Sequence, residues 1–94
     1  MLFSWDPDKA EANIKKHGIS FEMAQTVFDD PLHLSTLDVK RHGEERWITV
    51  GMAVNMSVLI VVHTYYSEKE NEIIRIISAR SATRKEKKQY EEGI

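Results

Sequence analysis

One stretch of the sequence decides the fold: Glu72–Glu86, which reads EIIRIISARSATRKE. Its first half, Glu72–Ala79, is rich in isoleucine and predicts a strand, because β-branched side chains favour pleated backbone. In its second half, Thr83 and Glu86 have the spacing of a capping box, in which two side chains satisfy free backbone N–H groups at a helix start. The stretch therefore predicts a strand followed by a helix over about Arg84–Glu92.

The segments before this stretch predict further strands of the same sheet. Arg46–Ala53 alternates as a half-buried strand does, and Met56–Tyr65 is continuous and β-branched, as in a central strand. Short connections at Val54-Asn55 and Ser67–Asn71 predict hairpins, so the strands should form an antiparallel meander. Weaker signals are an extended segment at Leu32, Leu34 and Leu37 and a turn at His42-Gly43-Glu44.

The N-terminal third predicts a short strand and two helices. Phe3 and Trp5 alternate with a serine in the opening strand, and Asp6-Pro7 then predicts a helix start. The first helix should span about Pro7–His17 and the second about Phe21–Phe28. The fold class is thus α+β: a short N-terminal strand, two helices, an antiparallel sheet of three to four strands, and a C-terminal helix.

The length and composition of the chain exclude several classes of protein and of functional site. The 94 residues predict one domain, 1–94. The sequence has no cysteine, which excludes disulfides and thiolate chemistry, and no apolar stretch reaches the roughly 18 residues of a membrane span. We therefore expect a cytoplasmic protein with no membrane contact. We expect neither a metal nor a cofactor, because His33, His42 and His63 lack metal-ligand spacing and no glycine-rich phosphate loop is present.

Positive charge is concentrated near the C-terminus, which indicates binding of phosphates or of an acidic partner, or else a solvated helix face. Strict alternation predicts that Arg75 and Arg80 lie on opposite faces of their strand. Arg75 should either pair with a carboxylate such as Glu45 or face a groove that receives an anion. Arg80, with Arg84 and Lys85, surrounds the start of the last helix, where the charges either form a phosphate site or are neutralised by glutamates such as Glu86.

A second candidate is His17, at the end of the first predicted helix. A histidine there can transfer a proton near neutral pH, although a capping role is the alternative. Together with the glutamates, arginines and lysines, it supplies the groups that metal-free RNA cleavage by the 2′-hydroxyl needs.

Motifs along nearly the whole chain resemble those of the BrnT toxins. The shared segments are Phe3-Ser4-Trp5-Asp6-Pro7 with Lys9-Ala10, Asn13-Ile14-Lys15-Lys16-His17-Gly18, Phe21 with Ala24, Val27-Phe28 with Asp30-Pro31, Glu45-Arg46-Trp47, Gly51, Arg75-Ile76-Ile77-Ser78-Ala79-Arg80, Thr83-Arg84 with Glu86, and Tyr90-Glu91. The resemblance implies a ribonuclease toxin of a type II toxin–antitoxin pair, with a fold similar to RelE-type toxins. It also implies a BrnA-type antitoxin with a ribbon-helix-helix DNA-binding part, through which alone the toxin would reach operator DNA.

The resemblance also implies the site residues. Those expected to be catalytic are His17, Glu45, Arg46, Arg75 and Arg80, and those expected to bind RNA phosphates are Ser78 and Arg84, to which the charge cluster at the start of the last helix adds Lys85. The sequence departs from the family at Tyr65-Tyr66, where members commonly carry an arginine. A neutral tyrosine there suggests an alternative function: a catalytically weakened homologue that acts mainly as the protein-binding half of an autoregulatory repressor complex.

Overall fold

The computed structural model describes residues 1–38 and 45–93, so the turn predicted at His42-Gly43-Glu44 lies outside the described residues. The elements in chain order are β1 (Leu2–Ser4), α1 (Pro7–His17), α2 (Phe21–Gln25), a 3₁₀ turn (Thr26–Asp29), β2 (Leu34–Asp38), β3 (Arg46–Met52), β4 (Val58–Glu68), β5 (Asn71–Ser81) and α3 (Arg84–Glu92). The predicted α+β class is confirmed.

Local signals place the helix ends. The Asp6 carboxylate accepts a hydrogen bond from the Asp8 amide at 2.8 Å, and Gly18 ends α1 in the left-handed conformation. Helix α2 is shorter than the predicted Phe21–Phe28. The Thr26 hydroxyl donates to the Met23 carbonyl at 2.7 Å, and from Thr26 the backbone tightens into the 3₁₀ turn.

Within the described residues the strands form one five-stranded sheet in the order β1-β5-β4-β3-β2. The prediction of a purely antiparallel sheet of three to four strands is wrong, because β1 joins the edge as a fifth strand and pairs with β5 in parallel. β1 has three residues and its partner lies about 70 positions away, so no local pattern specifies the pairing or its direction.

The hairpin between β4 and β5 is tighter than predicted. Instead of a turn over Ser67–Asn71, the strands pair as far as Glu68 and Asn71, and only Lys69 and Glu70 connect them. Both connecting residues have positive φ, 50° and 69°, as this kind of two-residue turn requires. Because such turns normally carry Asn or Gly, the Lys-Glu sequence predicts a looser connection.

The two faces of the sheet are covered differently. On one face, here called the α1/α2 face, Phe21, Ala24 and Val27 pack with Val61 and Ile76 in a buried apolar core. Helix α3 packs on the opposite face, here called the α3 face. The largest apolar burial thus lies between the sheet and the two N-terminal helices.

A β-bulge decides which residues of β5 reach the α3 face. Val62 pairs with Ser78, whereas the next residue, His63, pairs with Ile76, so Ile77 is an extra residue in the ladder. The bulge shifts the alternation by one. Arg75, Ser78 and Arg80 therefore pair with every second residue of β4 (Thr64, Val62 and Ile60) and share the α3 face. The prediction that Arg75 and Arg80 occupy opposite faces is wrong, because it assumed an unbroken strand.

Candidate functional site

A row of polar residues crosses the α3 face from one sheet edge to the other. Asp38 is in register with Arg46. Thr64 is in register with Arg75, which pairs on its other side with Ser4. The register of β3 with β4 brings Arg46 beside Thr64 and completes the row. We call Asp38, Arg46, Thr64, Arg75 and Ser4 the polar row. Because neighbouring strands lie roughly 4.8 Å apart, the backbones at Arg46 and Arg75 are about 10 Å apart, close enough for both side chains to reach one phosphate.

Arg75 is a charged member of this row whose side chain has no polar partner among the described residues. The residue is half-buried and its backbone pairs with β4 and β1, but its side chain makes no hydrogen bond or ion pair with any other residue of 1–38 or 45–93. Of the two outcomes predicted for Arg75, pairing with Glu45 is not observed, and Glu45 is exposed immediately before β3. A half-buried arginine without a carboxylate partner in this part of the chain can bind an anion, since its N–H groups match phosphate oxygens in pairs.

Helix α3 lies beside the polar row. The cleft between α3 and the sheet is lined by Glu86, Gln89 and Tyr90 from the helix and by strand residues of two rows on the α3 face. Leu34, Val50 and Ile60 form the row farther from the polar row, and Thr36 and Ile48 belong to the row next to it. Ser78 lies in that nearer row. The arrangement leaves a polar strip bounded by α3 on one side.

Arg80 anchors the start of α3. Its guanidinium donates two hydrogen bonds to the Glu86 carboxylate, at 2.8 and 2.9 Å, and this pairing lowers the pKa of Glu86 to about 2. The same carboxylate accepts from the Thr83 amide in the predicted capping box, which is confirmed. Of the alternatives for the charged cluster, neutralisation by Glu86 therefore applies to Arg80. Arg84 and Lys85 are exposed on the first turn of α3.

The other end of α3 is fastened by Tyr90. Its hydroxyl donates to the Asp30 carboxylate at 2.5 Å, and this hydrogen bond, with burial, raises the pKa of Tyr90 to about 12. Asp30 also accepts from the Met52 and Leu32 amides. Burial acts to raise the pKa of Asp30, but these hydrogen bonds outweigh it and the pKa is lowered. Contacts at both ends thus hold helix α3 in place along one side of the polar strip.

Replacing Arg80 by glutamine should lower the free energy of unfolding by about 1 kcal/mol. The bidentate pair is lost, although the Arg80 side chain is 43% exposed and water offsets part of that loss. For a domain of this size the melting temperature should fall by roughly 4–8 °C. Arg84→Gln removes the same charge from an exposed position and should leave the melting temperature unchanged in the same thermal scan. Equal shifts for both variants would contradict an anchoring role.

His17 lies on the other side of the sheet. It is exposed at the end of α1 and lines a cleft with Ile14, Met23 and Leu59. Leu59 belongs to the core of the α1/α2 face, so the sheet separates His17 from Arg75 and Arg80. The structure thus brings Arg46, Arg75, Ser78 and Arg80 to one face but does not add His17 to them.

Sequence reasoning gave no role to two residues of this face, Ser4 and Thr64, and treated Tyr66 only as a departure from the family. Ser4, Thr64 and Tyr66 come from β1 and β4, and the Tyr66 hydroxyl lies 3.2 Å from the Ser4 hydroxyl. Thr64 and Tyr66 are spaced by two within a strand, which is a signal that they share a face. Ser4 joins them only through the parallel pairing of β1, which has no signal in the sequence.

A separate chain of hydrogen bonds lies on the α1/α2 face and runs from the exposed Ser35 to the buried His63. His63 is fully buried, and its Nε2 is 2.7 Å from the Thr49 hydroxyl, which is 2.6 Å from that of Ser35. The His63 ring packs between Phe28 and Tyr65. Burial, assisted by the nearby His33, lowers the pKa of His63 to about 4. His63 is therefore a neutral structural group at physiological pH.

Comparison with known families decides the class of the protein. Residues 5–86 match the family model described as the ribonuclease toxin BrnT of type II toxin–antitoxin systems. The chain belongs to the BrnT family. The predicted family resemblance is confirmed, and membership in a type II family implies an antitoxin partner.

A BrnT structure shows the same fold. The crystal structure of the Brucella abortus ribonuclease toxin BrnT is 21% identical to this chain, with a TM-score of 0.61, and the match covers 89% of this chain and 100% of that one. No curated protein matches the sequence significantly. The finer similarity to RelE-type toxins stays a prediction.

Two further observations concern metals and membranes. Across residues 1–38 and 45–93, no three histidine, aspartate or glutamate side chains group closely enough to hold a metal ion. In the same part of the chain, no helix is long and apolar enough to cross a membrane.

Proposed function

We propose that this BrnT family member cleaves RNA at the polar row by a metal-independent reaction. The observation that carries the proposal is the position of Arg75. This residue is half-buried, its side chain has no carboxylate partner in the described chain, and it lies in one row with Arg46. Two guanidinium groups about 10 Å apart at the backbone can hold one phosphodiester between them, which supplies the charge that a metal ion otherwise provides.

In this reaction the RNA 2′-hydroxyl attacks its own 3′-phosphorus. A new P–O2′ bond forms, the P–O5′ bond breaks, and the products end in a 2′,3′-cyclic phosphate and a 5′-hydroxyl. Arg46 and Arg75 stabilise the extra negative charge on the pentacoordinate phosphorus. Glu45, exposed immediately before β3 and outside the alternation of that strand, is our candidate for the base that takes the 2′-proton, while solvent water protonates the leaving 5′-oxygen. Ser78 and the exposed Arg84 and Lys85 are proposed to contact flanking phosphates.

Cleavage of total RNA by the purified chain should continue in excess EDTA, since no step uses a metal. The measurement is gel electrophoresis of the products, followed by end analysis for the 2′,3′-cyclic phosphate. As a control, a magnesium-dependent nuclease in the same buffer should stop on addition of EDTA. Products with a 3′-hydroxyl, or complete dependence on added magnesium, would contradict the proposed chemistry.

We further propose that a BrnA-like antitoxin with a ribbon-helix-helix part neutralises the chain in the cytoplasm and carries it to operator DNA. Family membership supports an antitoxin, and the identity of the partner follows from the resemblance. Co-expression with the product of a neighbouring small reading frame, followed by copurification and operator binding with and without each component, tests this pairing. Operator binding by the toxin alone would contradict it.

The second candidate function is a catalytically weakened homologue retained for repression. Tyr66 favours it, because it lies on the α3 face, two residue pairs along from Arg75, where a neutral hydroxyl replaces the usual charged group. Expression of the chain alone separates the two functions. A ribonuclease toxin should arrest growth and degrade RNA, whereas a weakened homologue should do neither while still binding its antitoxin.

A further inference from the structure

The position of Tyr66 favours a role of its own, beyond replacing the arginine that family members commonly carry. Its ring is 38% exposed, and it shares the α3 face with Thr64, two residues away on β4. Thr64 pairs with Arg75, and Tyr66 pairs with Ile73, so Tyr66 and Arg75 are diagonal neighbours across two strands. Side chains in such diagonal positions can touch when one of them is aromatic or long.

The ring is also held in place. The Tyr66 hydroxyl lies 3.2 Å from that of Ser4, and Ser4 pairs with Arg75 on the side away from β4. The hydrogen bond therefore ties the tyrosine to the edge strand β1. The hydroxyl of the exposed Tyr66 is thus held at the position in β1 that pairs with the half-buried Arg75.

We infer that Tyr66 is a base-stacking residue, which holds one base of single-stranded RNA while Arg75 holds the adjacent phosphate. This inference rests on the proposed cleavage of RNA at the polar row. Single-stranded RNA is bound by aromatic rings for its bases and by cations for its backbone, and a paired base in a duplex has no free face for such a ring. Tyr66 would select unpaired RNA and orient the ribose for cleavage.

The chain offers a matched control in the neighbouring tyrosine. Tyr65 is 37% exposed but lies on the α1/α2 face, against Trp47 and His63. Two adjacent residues of the same type and exposure therefore present their rings on opposite faces of one sheet. Only the ring of Tyr66, which lies beside Arg75, should contribute to RNA binding.

The test uses a short 2′-O-methylated single-stranded RNA of mixed sequence, which cannot be cleaved, and fluorescence anisotropy. Tyr66→Leu should weaken binding about tenfold, since stacking contributes substantially for each base. Tyr66→Phe keeps the ring and should recover most of that affinity. Tyr65→Leu should bind as the parent does. Circular dichroism confirms that each variant is folded.

A series of the same RNA, each member lacking one base, identifies the position whose base stacks on Tyr66. One abasic site should weaken binding to the parent about tenfold and have no such effect on Tyr66→Leu, because the ring is already absent. If no abasic site depends on Tyr66, the stacking inference is wrong. Arg75→Gln separates this failure from that of the proposed function. Weaker binding in Arg75→Gln with no effect of Tyr66→Leu overturns the stacking inference alone, whereas no effect in either variant overturns RNA binding at the polar row as well.

Discussion

Replacement of Arg75 by glutamine should slow RNA cleavage by about 10²–10³-fold, the usual loss when one preorganised donor to a transition-state oxyanion is removed. The Arg75 side chain makes no hydrogen bond or ion pair with the rest of the described chain, so its replacement removes no polar contact from the native fold. The melting temperature should therefore stay within a degree or two of the parent. Cleavage rates at saturating RNA and a thermal scan of the same preparation measure the two effects.

His17→Gln is the counterpart variant on the α1/α2 face. Because the sheet separates His17 from the polar row, its replacement should leave the cleavage rate within about threefold, which is under ~1 kcal/mol of transition-state stabilisation. A loss of about 10²–10⁴ for His17→Gln, the range of general acid–base catalysis, together with a silent Arg75→Gln, would move the active site to the cleft at the end of α1.

Acidification should destabilise the fold through His63. Its pKa is about 4 in the folded chain and 6.5 when unperturbed, so the unfolded chain takes up the proton first as the pH falls. The contribution of neutral His63 is complete above pH 6.5, declines as the pH falls, and is lost once the pH passes about 4. At about 1.4 kcal/mol per pKa unit, the complete loss amounts to roughly 3–4 kcal/mol, most of it reached by pH 4. Urea unfolding at several pH values between 7 and 5 measures the slope of this loss.

The design of that experiment has to separate His63 from the other groups with shifted pKa values. The lowered pKa values of Asp30 and Glu86 place their own losses of stability below about pH 4 and pH 5, so His63 is followed between pH 7 and 5. His63→Phe removes the titrating group but keeps a ring between Phe28 and Tyr65, and should flatten the pH dependence between 7 and 5. His17→Gln removes an exposed histidine and should keep the parent slope. An unchanged slope in His63→Phe would contradict the assignment.

Local chemistry explains what the sequence could predict. The caps at Asp6, Ser20 and Thr83 each act within three residues of themselves, so the starts of α1, α2 and α3 could be predicted from neighbouring letters. Arg75 could also be singled out as a candidate, because an arginine between isoleucines needs an anionic partner. The family resemblance added Arg46 and Ser78.

Long-range pairing explains what the sequence could not predict. The polar row is assembled from five strands, and Ser4 and Arg75 come together across about 70 residues. A strand pattern also cannot show a bulge, so the faces of Arg75 and Arg80 were assigned wrongly. His17 carries a strong local signal for proton transfer, but no local signal shows on which side of the sheet a helix ends.

The bulge at Ile77 changes how relatives of this chain should be compared. Arg75 and Arg80 are five positions apart, yet they share a face because Ile77 stands outside the ladder. A homologue with one residue fewer would have the same two arginines four positions apart and would place both on the same face of an unbroken strand. A gap at Ile77 in an alignment thus leaves both arginines on the same face of the sheet. A sequence pattern for Arg75 and Arg80 should therefore accept a spacing of either four or five positions. Conversely, a homologue with the five-residue spacing but no bulge would turn one arginine to the α1/α2 face.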